Sequence, residues 1–96
     1  MYYFSKESKD KLYTCDDRLI KVFNKVITIY DCKVICGWRG MEEQNKAFES
    51  GYSKVQWPNS KHNISPSQAI DVVPYPSYWD SYYELYYLAG LVLGVA

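Results

Sequence analysis

Apolar residues recur at helical spacing in the first third of the chain. The recurring positions are Leu19, Ile20, Phe23, Val26, Ile27 and Tyr30. Steps of three and four residues place these side chains on one face of a helix, as is typical of a helix packed on a core. Asp16 and Asp17 come just before them, where negative charge favours a helix N-terminus. The pattern therefore predicts a helix over about Asp16–Ile29.

Two short apolar runs later in the chain predict strands, with a helix between them. Lys33–Trp38 contains a β-branched run, so we expect a strand there that ends at Gly37. Met41–Ser50 is predicted to be a helix, because acidic residues open it and Gly51 follows it. Ala69–Val73 is predicted to be the second strand, which the prolines after it would end.

Two stretches show little periodicity. Residues 1–15 are predicted to be an extended lead-in, in which Ser5 and Ser8 are able to cap a short helical turn. Residues 52–68 are rich in proline, serine and asparagine and are predicted to form one long loop. A long loop in a small domain often carries function, so this loop is the first place to look for a site.

The C-terminal part of the chain predicts a third helix. It would start at Ser77, which forms a capping-box pattern with Asp80. Its second half, Leu85–Ala96, is apolar almost all round and is therefore predicted to be buried, although it is too short to span a bilayer. Together, these elements predict a small α+β single domain over residues 1–96, with about three helices packed on a short, incomplete antiparallel sheet. A two-stranded sheet is marginal alone, so we expect either that the sequence is a fragment or that a second copy or a different protein covers the C-terminal helix.

Composition narrows the function classes. Apolar residues make up 48% and charged residues 23% of the chain, which is typical of a globular domain. The formal net charge is zero, which argues against a nucleic-acid partner. The 11 tyrosines are better explained by packing, with the hydroxyl end of each ring facing solvent, than by a surface that stacks on sugars. The N-terminus has no secretory-signal pattern.

The three cysteines are Cys15, Cys32 and Cys36. An odd number is a poor disulfide framework, so we interpret them as free thiols in a reducing compartment. Cys32 and Cys36 have the same parity on the predicted strand, so both are expected to face one side of it. Burial is the favoured interpretation of these thiols, and zinc ligation is the alternative.

Candidate chemistry gathers around the only histidine, His62. A zinc hydrolase needs three protein ligands, an open position for water, a proton-transfer group and a cation for the oxyanion. His62 and Asp71 supply two ligands, and Arg39 at the mouth of the first strand supplies the cation. Ser60 and Gln44 are placed to face the same cleft. Each residue alone also has a plainer explanation as a surface histidine, a capping aspartate or a solvated arginine.

Two motifs in this order resemble those of a known family. Cys36-Gly37-Trp38-Arg39-Gly40 with Glu43-Gln44 is similar to the corner motif of the M15-type zinc peptidases, and Ser60-Lys61-His62 with Ala69-Ile70-Asp71-Val72-Val73-Pro74 is similar to their zinc motif. Phe4–Ser8 and Ser50–Lys54 also look like phage endolysins of the L-alanyl-D-glutamate endopeptidase type, which cut the peptide stems of peptidoglycan. The resemblance covers nearly the whole chain.

The resemblance implies roles for five residues. His62 and Asp71 would be the first two zinc ligands, and Arg39 would be the transition-state arginine. Ser60 and Gln44 would line the substrate cleft. The fold would be a small α+β peptidase fold, and the substrate would be the bacterial peptidoglycan stem. Such a lysin would accumulate in the host bacterial cytoplasm.

The sequence also departs from the family pattern. His62 and Asp71 lie nine positions apart, with Ser65-Pro66-Ser67-Gln68 filling a loop that is usually shorter. The family's third ligand and general base lie in a later segment with a histidine, and this sequence has no second histidine. We therefore expect a truncated peptidase with weak zinc affinity and little activity. The alternative is a catalytically dead phage protein, reused as a binding or inhibitor protein against a host complex.

Overall fold

A computed structural model describes residues 2–76 and 82–96 of the chain. In chain order, its helices are α1 (Lys6–Leu12), α2 (Asp17–Val26), α3 (Met41–Glu49) and α4 (Tyr82–Val95), and its strands are β1 (Cys32–Cys36) and β2 (Asp71–Pro74). A single 3-10 turn, Lys61–Asn63, lies in the long loop between α3 and β2. The two strands pair antiparallel, which confirms the predicted α+β class.

The core lies between the sheet and the helices packed on it. Helix α1 packs on β1, while α4 packs on both α2 and β2. The buried apolar residues that form one cluster are Phe4, Leu12, Phe23, Val26, Ile27, Cys32, Val34 and Leu88. All six residues of the predicted apolar stripe are therefore part of, or packed against, this cluster.

The predicted helices are found with small changes at their ends. The helix expected over Asp16–Ile29 is α2, which Asp16 caps by accepting a hydrogen bond from the backbone N–H of Arg18. It ends at Val26, earlier than predicted, and a turn follows. Helix α3 ends close to Gly51, whose φ of 81° lies in the left-handed region that glycine adopts without strain.

The prediction for residues 1–15 was wrong in one respect, because α1 occupies half of that stretch. Ser5 is its N-cap and accepts a hydrogen bond from the backbone N–H of Ser8. The helix was missed because its sequence is mostly charged and offers Leu12 as its one large apolar side chain. The Ser8 hydroxyl is buried and accepts a hydrogen bond from the Val34 backbone N–H, so a polar contact joins α1 to β1.

The prediction that α4 is buried all round was also wrong. Leu88 is its buried side chain among the described residues, whereas Tyr83 is 90% exposed and Leu93 is 79% exposed. The outer face of α4 has no described element packed over it. The predicted helix start at Ser77 and its pairing with Asp80 lie outside the described residues. No helix in the described part of the chain is long and apolar enough to cross a membrane.

Candidate functional site

The corner between β1 and α3 requires a glycine, Gly37, because the chain packs too closely there for a side chain. A Cβ atom at Gly37 would lie 2.3 Å from both the Lys11 carbonyl oxygen and the Thr14 hydroxyl oxygen, so no larger residue fits. The next residue, Trp38, donates its backbone N–H to the same Thr14 hydroxyl at 2.8 Å. The chain therefore turns tightly against α1 and presents Arg39 at the end of the strand.

The long loop is tied to this corner by backbone and side-chain hydrogen bonds. The backbone N–H of Arg39 donates to the carbonyl oxygen of His62 at 2.8 Å. Asn63 donates its side-chain amide to the carbonyl oxygen of Arg39 at 3.0 Å. Ser60 forms a capping box with Asn63 at the start of the 3-10 turn. These contacts fix the position of His62 without using its imidazole.

The imidazole of His62 is oriented by the carbonyl oxygen of Gly37, 2.8 Å from its Nδ1. A carbonyl oxygen only accepts, so Nδ1 carries a proton and Nε2 points toward Asp71. A hydrogen bond of this kind on one ring nitrogen is how proteins orient a histidine that binds metal through the other. The sequence-predicted ligand His62 thus presents the nitrogen that a zinc ion needs.

Asp71 brings the two sides of the site together. One of its oxygens, Oδ2, lies 3.5 Å from Nε2 of His62 and 3.4 Å from Nη2 of Arg39. The hydrogen bond and charge of His62, with the charge of Arg39, lower the pKa of Asp71 against the effect of its burial. The hydrogen bond that His62 donates to Asp71 is also the main cause that raises the pKa of His62 to about 10 in the metal-free site. The Asp71 carboxylate therefore pairs with two positively charged side chains, His62 and Arg39.

The guanidinium of Arg39 is buried and held from behind by Gln44. Nη1 of Arg39 donates to Oε1 of Gln44 at 3.0 Å, and the amide nitrogen of Gln44 donates to Ser53 Oγ and the Val55 carbonyl oxygen. Gln44 is fully buried. Its predicted place on the cleft wall is therefore corrected to a place behind Arg39, where it orients the guanidinium.

The four other predicted residues line one cleft, of about 430 Å³. Arg39, Ser60, His62 and Asp71 are joined there by Tyr52, Ser53 and Lys54. The Tyr52 ring lies 5.9 Å from the Arg39 guanidinium carbon, within the range of a cation–π contact. Asp71 is the one carboxylate among the described residues that line the cleft.

Cys36 is a site residue for which the sequence interpretation favoured burial and gave zinc ligation as the alternative. Its sulfur, one His62 nitrogen and one Asp71 oxygen all lie within 4.8 Å of one another, and no other such group of potential metal ligands occurs in residues 2–76 and 82–96. The prediction of buried free thiols holds for Cys15 and Cys32, whereas Cys36 is half-buried. The available signal was its position directly before Gly37 in the corner motif.

The donor atoms fit a zinc ion in type. Imidazole nitrogen, carboxylate oxygen and cysteine sulfur are the ligands that zinc takes in proteins. The Arg39 guanidinium lies beside them as a fixed positive charge, and one side of the cleft is open to solvent through Tyr52 and Lys54, which are exposed. The arrangement can bind a divalent ion and place an anionic oxygen next to Arg39.

Comparisons with known proteins identify the family and the fold. The family model of the phage L-alanyl-D-glutamate peptidases matches residues 1–89. The crystal structure of the L-Ala D-Glu endopeptidase ChiX of Serratia marcescens has a TM-score of 0.73 and 23% sequence identity, over 99% of this chain and 72% of that one. That likeness shows a shared fold. No curated protein matches the chain. On the family match over most of its length, the chain belongs to the phage L-alanyl-D-glutamate peptidase family.

Proposed function

We propose that the chain is a zinc-dependent peptidoglycan endopeptidase that hydrolyses the L-alanyl-D-glutamate bond of the peptide stem. The observation that carries this proposal is the shared contact of Asp71 Oδ2 with His62 and Arg39 in an open cleft. A bound zinc ion would polarise the scissile carbonyl and lower the pKa of a bound water. The ligands from this chain would include His62 and Asp71.

Arg39 would stabilise the oxyanion that forms on the scissile carbonyl. Its guanidinium is held by Gln44 and Asp71, so it needs no reorganisation when negative charge develops nearby. A donor fixed in this way contributes a factor of about 10² to 10³ to the rate. Gln44 would act as a positioning residue, because it contacts Arg39 and is shielded from the cleft.

The cleft wall offers contacts for an acidic peptide. Lys54 is exposed at the cleft and can pair with a carboxylate of the stem, and Tyr52 presents a ring beside Arg39. Ser60 would position His62 through the 3-10 turn and contact the substrate. These residues would orient the stem so that the bond after L-alanine faces Arg39.

The activity of the 96-residue chain would be low. Asp71 is engaged by His62 and Arg39, and no second carboxylate lines the cleft among the described residues. A missing proton-transfer group costs a factor of about 10² to 10⁴. We therefore expect slow hydrolysis that depends on added zinc.

Incubation of purified peptidoglycan with the chain and zinc tests the proposal. Mass spectrometry should find released fragments with new glutamate amino termini, at rates that fall to background in His62→Ala and Asp71→Asn and with a chelator. Asp10→Asn, which changes an exposed aspartate on α1, is the matched control and should retain the rate. Equal release by wild type and Asp71→Asn, or release that ignores zinc, would show that the proposed metal site is wrong.

A second candidate is a binding role, which the exposed outer face of α4 favours. Tyr83, Tyr86 and Leu93 are each at least 75% exposed. An apolar face of this kind is typical of an interaction surface for a second copy or a host protein. If wild type releases no fragments with zinc but forms a stable complex that Leu93→Glu abolishes, the binding role is the better explanation.

A further inference from the structure

Strand β1 carries one residue more than its partner, and this turns Cys36 toward the metal-binding side chains. Val34 pairs with Val72, but the next pair along the ladder is Cys36 with Asp71, so Ile35 is the extra residue of a β-bulge. Residues paired across two strands share a face of the sheet. Cys36 therefore lies on the face of Asp71, whereas Cys32 of the same strand is buried in the core. Bulges next to active sites commonly redirect a side chain in this way.

The spacing of His62 and Asp71 matches that of two ligands on a tetrahedral zinc ion. Two donors on one such ion lie about 3.3 to 3.8 Å apart, given zinc–ligand distances of about 2.0 to 2.3 Å. Nε2 of His62 and Oδ2 of Asp71 are 3.5 Å apart. The Cys36 sulfur lies within 4.8 Å of one nitrogen of His62 and one oxygen of Asp71, so the three side chains converge on one point.

The chemistry of a third sulfur ligand also suits the surrounding charges. A thiolate and a carboxylate together neutralise a divalent ion, and the Arg39 guanidinium remains as the positive charge beside it. A buried site with balanced charge costs less desolvation than one with a surplus. Sulfur also favours zinc over magnesium and calcium, which prefer oxygen ligands.

We propose that the sulfur of Cys36 is a direct zinc ligand in this chain, with His62 and Asp71, and that the fourth position stays open. This inference rests on the proposed function, because it names a ligand of the same metal. Three protein ligands with one open position are the arrangement of catalytic zinc sites.

Cobalt substitution tests the inference without measuring activity. Cobalt(II) bound to a thiolate shows an intense sulfur-to-cobalt charge-transfer absorption in the near ultraviolet, which nitrogen and oxygen ligands do not produce. We expect this absorption in the wild type and in Cys32→Ala, the matched control on the same strand, and its loss in Cys36→Ala. Zinc titration should show at least about 100-fold weaker binding for Cys36→Ala, since even the loss of an outer partner costs 10- to 100-fold. Absence of the absorption in the wild type would overturn the inference.

A second test uses only the wild-type chain, so its outcome does not depend on whether the variants fold. It measures how far zinc protects the Cys36 thiol from alkylation. Zinc should slow the alkylation of Cys36, located by peptide mass spectrometry, at least about tenfold, and an unchanged rate would count against ligation. His62→Ala separates the two proposals. If zinc binding is lost in His62→Ala but unchanged in Cys36→Ala, the sulfur ligand is wrong and the endopeptidase proposal stands. If neither variant changes zinc binding, both fail.

Discussion

The carbonyl oxygen of Gly37 accepts a hydrogen bond of 2.8 Å from Nδ1 of His62, and this contact fixes which ring nitrogen faces Asp71. The carbonyl is itself held in place because Gly37 packs against α1 with no room for a side chain. Gly37, which has no side chain, therefore orients the imidazole of His62 through its backbone carbonyl. The orientation of His62 depends on the packing of α1 against Gly37, which lies 25 positions before His62 in the chain.

Gly37→Ala should damage both stability and metal binding. The added Cβ would meet backbone and side-chain oxygens at 2.3 Å, so the corner must shift and carry the carbonyl with it. We expect a loss of about 1 to 3 kcal/mol in the free energy of unfolding and zinc binding weaker by about 10-fold or more. Gly90→Ala is the matched control, because an added Cβ there meets nothing within 4 Å. Equal effects of the two changes would contradict this account of the corner.

Gln44→Glu should destabilise the protein although the two side chains have the same shape. The amide nitrogen of Gln44 donates to the Val55 carbonyl oxygen at 2.7 Å, and a carboxylate oxygen cannot donate there. The expected cost is about 1 to 3 kcal/mol in urea unfolding, as for a buried polar group that loses its partner. Gln56→Glu, at an exposed position, should change stability by less than about 0.5 kcal/mol. A neutral Gln44→Glu would show that the amide is not held as described.

The His62–Asp71 pair should make the metal-free protein sensitive to pH in a defined direction. The pKa of His62 is raised from 6.5 to about 10, so its stabilisation is complete below 6.5 and is lost as the pH rises toward 10. The pKa of Asp71 is lowered from 3.8, so its stabilisation is present above that value and is lost as the pH falls through the lower pKa. Stability should therefore be greatest in mildly acidic solution.

Urea unfolding of chelator-treated protein measures this effect. Between about pH 6 and about pH 10, the wild type should lose about 1 to 3 kcal/mol more than Asp71→Asn, which lacks the main cause of the raised His62 pKa. Asp10→Asn should follow the wild type. Zinc binding, which needs the unprotonated nitrogen, should tighten as the pH rises over the same range.

Arg39→Lys should reduce peptidoglycan hydrolysis while leaving zinc bound. Lysine keeps the positive charge but lacks the planar fork whose two nitrogens, Nη1 and Nη2, contact Gln44 and Asp71. We expect a rate lower by about 10² to 10³ and zinc affinity within a factor of about three. Arg18→Lys, at a guanidinium that is 87% exposed, should leave both unchanged. Full activity in Arg39→Lys would contradict the proposed role of Arg39 in stabilising the oxyanion.

Two leucines of α4 should differ sharply in their contribution to stability. Leu88 is 4% exposed and belongs to the core cluster, so Leu88→Ala should cost about 2 to 4 kcal/mol in the free energy of unfolding. Leu93 is 79% exposed, so Leu93→Ala should cost less than about 0.5 kcal/mol. A large cost at Leu93 in dilute solution would indicate that the outer face of α4 is covered by another surface.

The sequence predicted those parts of the fold that local chemistry determines. Helix α2 was predicted because its apolar stripe and the Asp16 cap act within a few residues of each other. The convergence of Arg39, His62 and Asp71 came from resemblance, since no periodicity reports that the corner at Arg39 and the loop at His62 will meet. The burial of Gln44 could not be predicted, because a polar residue in the first turn of a helix usually faces solvent. From the sequence, Cys36 is expected to face the same side of the sheet as Cys32, because alternation along a strand assumes a regular ladder. The bulge breaks that alternation and places Cys36 on the face of Asp71.

The extra residue at Ile35 also decides how β1 responds to changes in its length. Removing Ile35 would leave a regular ladder in which Val34 still opposes Val72 and Cys36 still opposes Asp71. Removing Lys33 instead would slide the preceding part of the strand by one position and send core side chains to the opposite face. Deletion tolerance along these five residues should therefore peak at one position, and natural relatives that differ in length here would be aligned correctly only if the gap is placed at Ile35.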